Sequence, residues 1–316
     1  MSFKIGLVGL CTSHPECWVP IMRDMTEEGI VDVEIVAAWD SGETRPEGFA
    51  EEFCRTWNIP HPVENLEDML PLVDGVIVHT ANWDRHLEQA APFVAAGKSV
   101  YIDKPEAGNT EELAKIADWI YSGHRVTGGS VMRFCREIAE AVALPESERG
   151  KIYTAYTSIG VDDYNYGIHG YAELCAALGP GVVSAQYVGE SNQKQIILQW
   201  SDGKCGILTV GKSAWLPFHV TITTDKKVLQ VAIDNTKLYR SMLEAVLPYF
   251  TGKSDVPPLD VKTLLEPEYA ALAARMSWMN GGKRIYLSDL PLSRDGYDGR
   301  AFARAYRQSR LGTAAK

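Results

Sequence analysis

A chain of 316 residues and 34.9 kDa exceeds the ~250–300 residues at which a single core stops growing, so two domains are expected. Hydrophobic residues make up 46% and charged residues 23% of it, an ordinary globular balance with enough apolar surface for both cores. The 41 acids against 31 Lys plus Arg give a net charge of −10 and a pI near 5.3; with no basic run, nucleic acid and anionic membrane are disfavoured as partners.

The first residues enter a strand, Phe3 to Val8, without a basic region, apolar stretch or cleavage site of a signal peptide. No later segment approaches the ~18 apolar residues of a membrane span. Six cysteines, at 11, 17, 54, 135, 175 and 205, form no disulfide framework, and a reducing cytoplasm is the expected location.

After Val8 come Gly9, Leu10, Cys11, Thr12, Ser13, His14 and Pro15, then a helix predicted from Glu16 onward. A strand, a glycine turn and a helix make the corner where a dinucleotide pyrophosphate meets free N–H groups and the helix dipole. In G-x-G-x-x-G register only Gly9 is kept; Cys11 and His14 stand at the second and third places. Cys11, His14 and Cys17 also have soft-ligand spacing, but a proline and a helix start interrupt the run, and no metal ion is expected. The second strand, Val33 to Trp39, ends at Asp40, which can accept ribose hydroxyls and repel a 2′-phosphate, so NAD is expected over NADP. Arg45, nearby, could serve a 2′-phosphate instead, and Asp40 could instead cap a turn.

The third unit, Asp74 to Thr80, reads as a buried strand, with Thr80, Asn82 and His86 at the mouth of the same crevice and His79 as a core or strand-end histidine. A helix predicted over 82–96 carries Pro92, which opposes a straight helix, and stops at Gly97. The run to Ile102, Asp103, Lys104 and Pro105 is a strand that delivers charge to its carboxyl end. Asn109 to Glu112 resembles a capping box, with a helix to Gly123. Residues 145–150 form an exposed segment. From Lys151 the period becomes two, predicting six strands over 152–159, 182–188, 194–200, 205–210, 218–224 and 228–233, with a hairpin at 201–204. Helices are predicted around 169–178, 237–250 and 262–280, and a basic, partly helical arm over 294–316. The loop from Asp162 to His169 gathers acids and tyrosines suited to a sugar.

Gly9, Asp40, the run from Val76 to His86, the run from Gly97 to Pro105, the run Gly128 to Phe134, the stretch Tyr166 to Gly170, Thr251 to Lys253 and Gly281 to Leu287 together resemble the glucose-fructose oxidoreductase, inositol dehydrogenase and rhizopine catabolism family. The resemblance implies an α/β fold: an N-terminal Rossmann dinucleotide-binding domain over 1–125, and a C-terminal α+β domain over 126–316 with a largely antiparallel open sheet. It implies cofactor contacts from Gly9, Cys11, Thr12, Ser13, His14, Asp40, Thr80, Asn82, His86, Asp103, Lys104 and Pro105. The family's E-K-P lysine is Lys104, with Asp103 in place of the glutamate. Its catalytic histidine is His169, with Asn165 where an aspartate stands in the family.

The activity so implied is reversible hydride transfer between NAD, or NADP, and a secondary hydroxyl of a sugar, cyclitol or related polyol. Lys104 and His169 would share the proton, Asn165 would orient the ring, and Asp162 or Asp163 would supply charge, with Asp163 as the compensating acid. Homodimers or homotetramers would form through the C-terminal sheet. Two other roles on the same fold are a non-catalytic ligand-sensing regulator and an NAD-dependent glycosidase that retains its cofactor.

Overall fold

The structure is a computed structural model and describes residues 2–311. In chain order its first half contains β1 (Phe3–Val8), α1 (His14–Glu27), β2 (Val33–Trp39), α2 (Phe49–Thr56), β3 (His61–Pro62), β4 (Gly75–Val78), α3 (His86–Ala95), β5 (Ser99–Asp103), α4 (Thr110–Tyr121) and β6 (Val126–Gly129). All six strands are parallel, in the order β3-β2-β1-β4-β5-β6. The order reverses between β1 and β4, which is where open α/β sheets hold ligands outside their carboxyl ends. Helices cover both faces, so β4 and β5 are buried along their whole length and read as unbroken apolar runs.

The second half contains α5 (Arg136–Ala143), α6 (Glu146–Arg149), β7 (Ile152–Ile159), α7 (Gly167–Leu178), β8 (Val182–Glu190), β9 (Lys194–Trp200), β10 (Cys205–Val210), β11 (His219–Thr224), β12 (Val228–Ala232), α8 (Leu238–Phe250), α9 (Val261–Met279), β13 (Ile285–Tyr286) and α10 (Gly299–Leu311). Its seven-stranded sheet has the order β12-β11-β7-β10-β9-β8-β13. Every pair is antiparallel except β7 with β10. Helices α7 and α9 pack on one face. On the other face Tyr156 and Ile207, which are register partners, stay exposed.

The two halves share a core. Trp18, Met22 and Met25 on α1 are fully buried, each contributing roughly 1.5–3 kcal/mol of transfer free energy. Helix α8 crosses back onto the first sheet: a Cβ at Gly75 would lie 2.8 Å from the Phe250 ring, and the Tyr101 hydroxyl lies 3.2 Å from the Met242 sulfur. Strand β6, at 126–129, is the last strand of the first sheet, so that sheet runs past residue 125.

Local signals account for most element ends. Asn109 accepts from Glu112 N at 3.0 Å and starts α4, and Asp260 does the same for α9 through Thr263 N. Helix α3 starts later than expected, at His86, because residues 83–85 form a 3-10 turn, and it runs through Pro92. Residues 145–148 are exposed, and 146–149 form a single helical turn. Of the predicted terminal arm, 299–311 is helical and 312–316 lies outside the described residues. Among the described residues, no helix is long and apolar enough to cross a membrane.

Candidate active site

The carboxyl ends of β1 and β5 meet the segment leading into α7 at a cavity of about 290 Å³. Thr12, Ser13 and His14 bring the amino end of α1 to one wall, and Lys104, Asn165, Tyr166 and His169 form the polar side. Trp215, Phe218 and Tyr239 supply aromatic surface, and Phe302 and Tyr306 of α10 close it. None of these five aromatics was singled out from the sequence. Their only signal there was aromatic density in loops and in a helix that the strand pattern did not require.

Lys104 follows β5 directly, and its peptide bond to Pro105 is cis. Its Nζ donates to the main-chain oxygen of Asn165 at 2.9 Å and to the Asn165 side-chain oxygen at 3.3 Å, and lies 5.6 Å from the Tyr166 ring centre. Burial lowers the pKa of this ammonium, while Asp103 and Asp162 pull it back up. Asp162 itself accepts from the amides of Tyr164 and Tyr166, both at 2.9 Å, and so shapes the loop. Burial nevertheless raises its pKa.

His169 stands in the first turn of α7, buried between Tyr166 and Phe218. Its Nδ1 is 2.8 Å from Ser130 Oγ, so the ring's orientation is held by Ser130, which follows β6, while Asn165 is bonded to Lys104. In the sequence Ser130 stands out only as part of the Gly128 to Phe134 run; a hydroxyl immediately after a strand is the signal that could have marked it. Burial, then the charge of Lys104, drive the His169 pKa well below the ordinary imidazole value. Asp163 is paired with Lys194 at 2.9 Å and is not among the residues lining the cavity.

Asp103 joins two histidines. Its Oδ1 accepts from Lys104 N at 2.8 Å, and its Oδ2 accepts from His14 Nδ1 and, at 3.2 Å, from His79 Nδ1. Burial alone would raise this carboxyl, but the two imidazoles outweigh it and hold the pKa well below the carboxylate range. His79 is fully buried against Trp18, with ring centres 4.7 Å apart. His14 stacks on Trp18 at 5.5 Å and borders the cavity.

The strand–turn–helix corner implies a dinucleotide, and the residues can be tested for it. At the cavity end they fit: α1 presents its amino terminus, and Ser13, its cap residue, makes no side-chain cap bond. Asp40 stands at the end of β2, as an adenosine ribose would need, yet its carboxylate already accepts from Leu10 N at 2.8 Å and Gly42 N at 2.9 Å.

Between these points the crevice is covered. Gly9, at φ +81°, lies so close to Thr80 that a Cβ would fall 2.3 Å from Oγ1, and Cys11 and Thr44 are fully buried. Arg45 donates to Leu10 O at 2.8 Å, Thr12 O at 3.1 Å and Glu16 at 2.7 Å, and lies over Phe49. Arg307 of α10 donates to Gly42 O and Glu43 O at 2.6 and 3.1 Å. The donor set at the cavity end suits a dinucleotide, and on the far side of the cover Asp40, Arg45 and Arg307 border a second, open cavity.

Thr80, Asn82 and His86, expected at the crevice mouth, are interior. Thr80 donates to Gln89 at 2.5 Å, Asn82 donates to Glu43 at 2.7 Å, and the His86 ring spans the carbonyls of Glu106 and Thr80. For Thr80 and His86 the reason lies in these partners within the first half, whereas at Asn82 α10 also bears on the segment: a Cβ at Gly299 would lie 2.9 Å from Asn82 Oδ1, and Arg300 N donates to Asp84 at 3.0 Å.

Against known proteins, a family model described as "Oxidoreductase family, NAD-binding Rossmann fold" matches residues 3–127. A curated protein of Amycolatopsis mediterranei (strain S699), named "Putative UDP-kanosamine synthase oxidoreductase subunit", is 29% identical over 134 residues. That match spans 42% of this chain and 35% of that protein, so the chain covers about a third of its relative's length. Among solved structures, scyllo-inositol dehydrogenase from Lactobacillus casei with bound NAD(H) and scyllo-inositol superposes with a TM-score of 0.73 at 17% identity, over 92% of this chain and 100% of that one. An oxidoreductase from Thermotoga maritima does so with a TM-score of 0.75 at 17% identity, over 92% and 100%. At such identities these two superpositions speak for the fold.

Proposed function

Residues 3–127 belong to the Gfo/Idh/MocA oxidoreductase family, and on that premise we propose that the chain oxidises, reversibly, a secondary hydroxyl of a sugar, cyclitol or related polyol with NAD as hydride acceptor. The observation that carries this reading is the meeting of Lys104 and His169 in one aromatic-walled cavity beside the amino end of α1. Aromatic faces take the C–H surface of a polyol, and the few polar groups fix its orientation.

Bound nicotinamide would supply the carbon that accepts hydride, held through its phosphates by the amino end of α1. The chain's own part is the hydroxyl proton. His169, kept neutral by burial and by Lys104, receives it, and Ser130 holds the ring at Nδ1, which leaves Nε2 as the nitrogen free to meet the hydroxyl. Lys104, anchored by Asn165, orients the carbinol oxygen and stabilises negative charge on it. For NAD over NADP the support is Arg45, whose guanidinium is committed to Leu10, Thr12, Glu16 and Phe49, leaving Asp40 as the group a 2′-phosphate would face. The exposed pair Tyr156 and Ile207 supports self-association through the second sheet.

The covered crevice favours one other reading, a ligand-sensing regulator that works without turnover. Calorimetric titration with NADH and, separately, NADPH tests between them. Saturable binding with preference for NADH is the result expected of the oxidoreductase; no heat from either nucleotide hands the cavity to the regulator.

A further inference from the structure

Two of the positions at which the sequence departs from the family pattern come together in space. His14 replaces the third glycine of the fingerprint and Asp103 replaces the glutamate of E-K-P. With His79 they contribute one ligand-type atom each, all within 4.8 Å of one another. The three residues come from three elements: the first residue of α1, the residue after β4, and the last residue of β5.

We propose that His14, His79 and Asp103 bind one divalent transition-metal ion behind the part of the cavity wall that His14 forms. Two neutral imidazoles and one carboxylate are a donor set for zinc, iron(II) or manganese(II) rather than for magnesium or calcium, which prefer oxygen alone. The set is built rather than incidental. The His79 and Asp103 side chains are only 0% and 5% exposed, the second Asp103 oxygen is fixed by the Lys104 amide, and His14 is braced between Trp18 and Tyr239. Both Nδ1 atoms already converge on a single carboxylate oxygen, so an ion replaces two N–H protons at a point where three lone pairs meet.

Access is from the cavity, where His14 lies in the wall. The inference does not depend on the cofactor, and its test measures the ion alone.

Chelator-treated protein titrated with cobalt(II) chloride gives the readout. The expected result is one equivalent bound, with visible d–d absorption, no thiolate-to-cobalt charge-transfer band, and displacement by zinc(II). His14→Gly, which restores the family residue, and Asp103→Asn should each weaken binding by at least about tenfold with unchanged far-UV circular dichroism. Absence of saturable cobalt absorption in the wild-type chain overturns the proposal. So does a charge-transfer band, which would point to the cysteines, or undiminished binding in both folded variants. Should either variant fail to fold, the wild-type titration decides alone.

Discussion

Lys104 Nζ is held by both oxygens of Asn165, at 2.9 Å from the main chain and 3.3 Å from the side chain. The cation delivered by the first sheet is thus placed by the segment that leads into α7 on the second. An amide there satisfies the ammonium without adding charge, so burial is free to lower the lysine's pKa.

Asn165→Asp should raise the Lys104 pKa, since a carboxylate at this range shifts a cation's titration by about 1–3 units. The folded pKa rises, so the ammonium persists to higher pH. In the pH profile of kcat/KM the alkaline limb should move upward, and an unmoved limb would detach Lys104 from turnover. Lys104→Met should cost about 10²-fold or more in kcat/KM.

Ser130→Ala removes the hydrogen-bond partner of His169 Nδ1 and frees the ring to rotate. A drop of about tenfold in kcat with little change in KM is expected. Because the His169 pKa is driven well below its ordinary value, the acid limb of the wild-type profile should lie below the unperturbed imidazole value of about 6.5. A limb at or above that value would speak against His169 as proton acceptor.

Arg307→Ala loosens the clamp of α10 on Gly42 and Glu43. If the cover competes with the adenosine half, NADH should bind several-fold more tightly to the variant in calorimetry. Weaker binding would mean that Arg307 contacts nucleotide instead.

Glu173 tests the core below α7. Thr157 Oγ1 lies 2.5 Å from its carboxyl and 2.7 Å from His219 O. One hydroxyl hydrogen serves only the carbonyl, so Glu173 must carry its own proton to complete the pair. Burial pushes its pKa up to about 8. A raised folded pKa favours folding below the unfolded value near 4.5, and that contribution is lost as pH rises through about 8. Glu173→Gln should therefore raise Tm at pH 9 relative to wild type, by roughly 1–3 kcal/mol of stability, and do little at pH 5. An equal shift at both pH values would refute this.

Much of this was legible in the chain. Six of the seven strands of the second sheet announced themselves because alternation is a local signal: 152–159, 194–200 and 205–210 have the predicted ends, while the two-residue β13 is too short to alternate. The position of Lys104 followed from a glycine stop, a buried strand and a capped helix. What could not be read was anything set by contacts distant in sequence. Asn82 looks like a crevice residue until Glu43 and the start of α10, more than 200 residues later, close on it, and Thr80 and His86 until Gln89 and Glu106 take their polar atoms. Likewise Asp163, which the sequence offers as partner to His169, is claimed by Lys194, and Ser130 becomes its neighbour only once β6 and α7 are side by side.

The central claim is that Lys104 and His169 serve oxidation of a polyol in this cavity. The most direct measurement is formation of reduced nicotinamide by the wild-type chain and by Lys104→Met, each incubated with NAD and a panel of cyclitols, hexoses and sugar acids. Reduced nicotinamide appearing with at least one polyol in the wild type, and at least about a hundredfold more slowly in the variant, is the predicted result. Equal rates in the two proteins, or no reduction with any polyol although NADH binds, would contradict it.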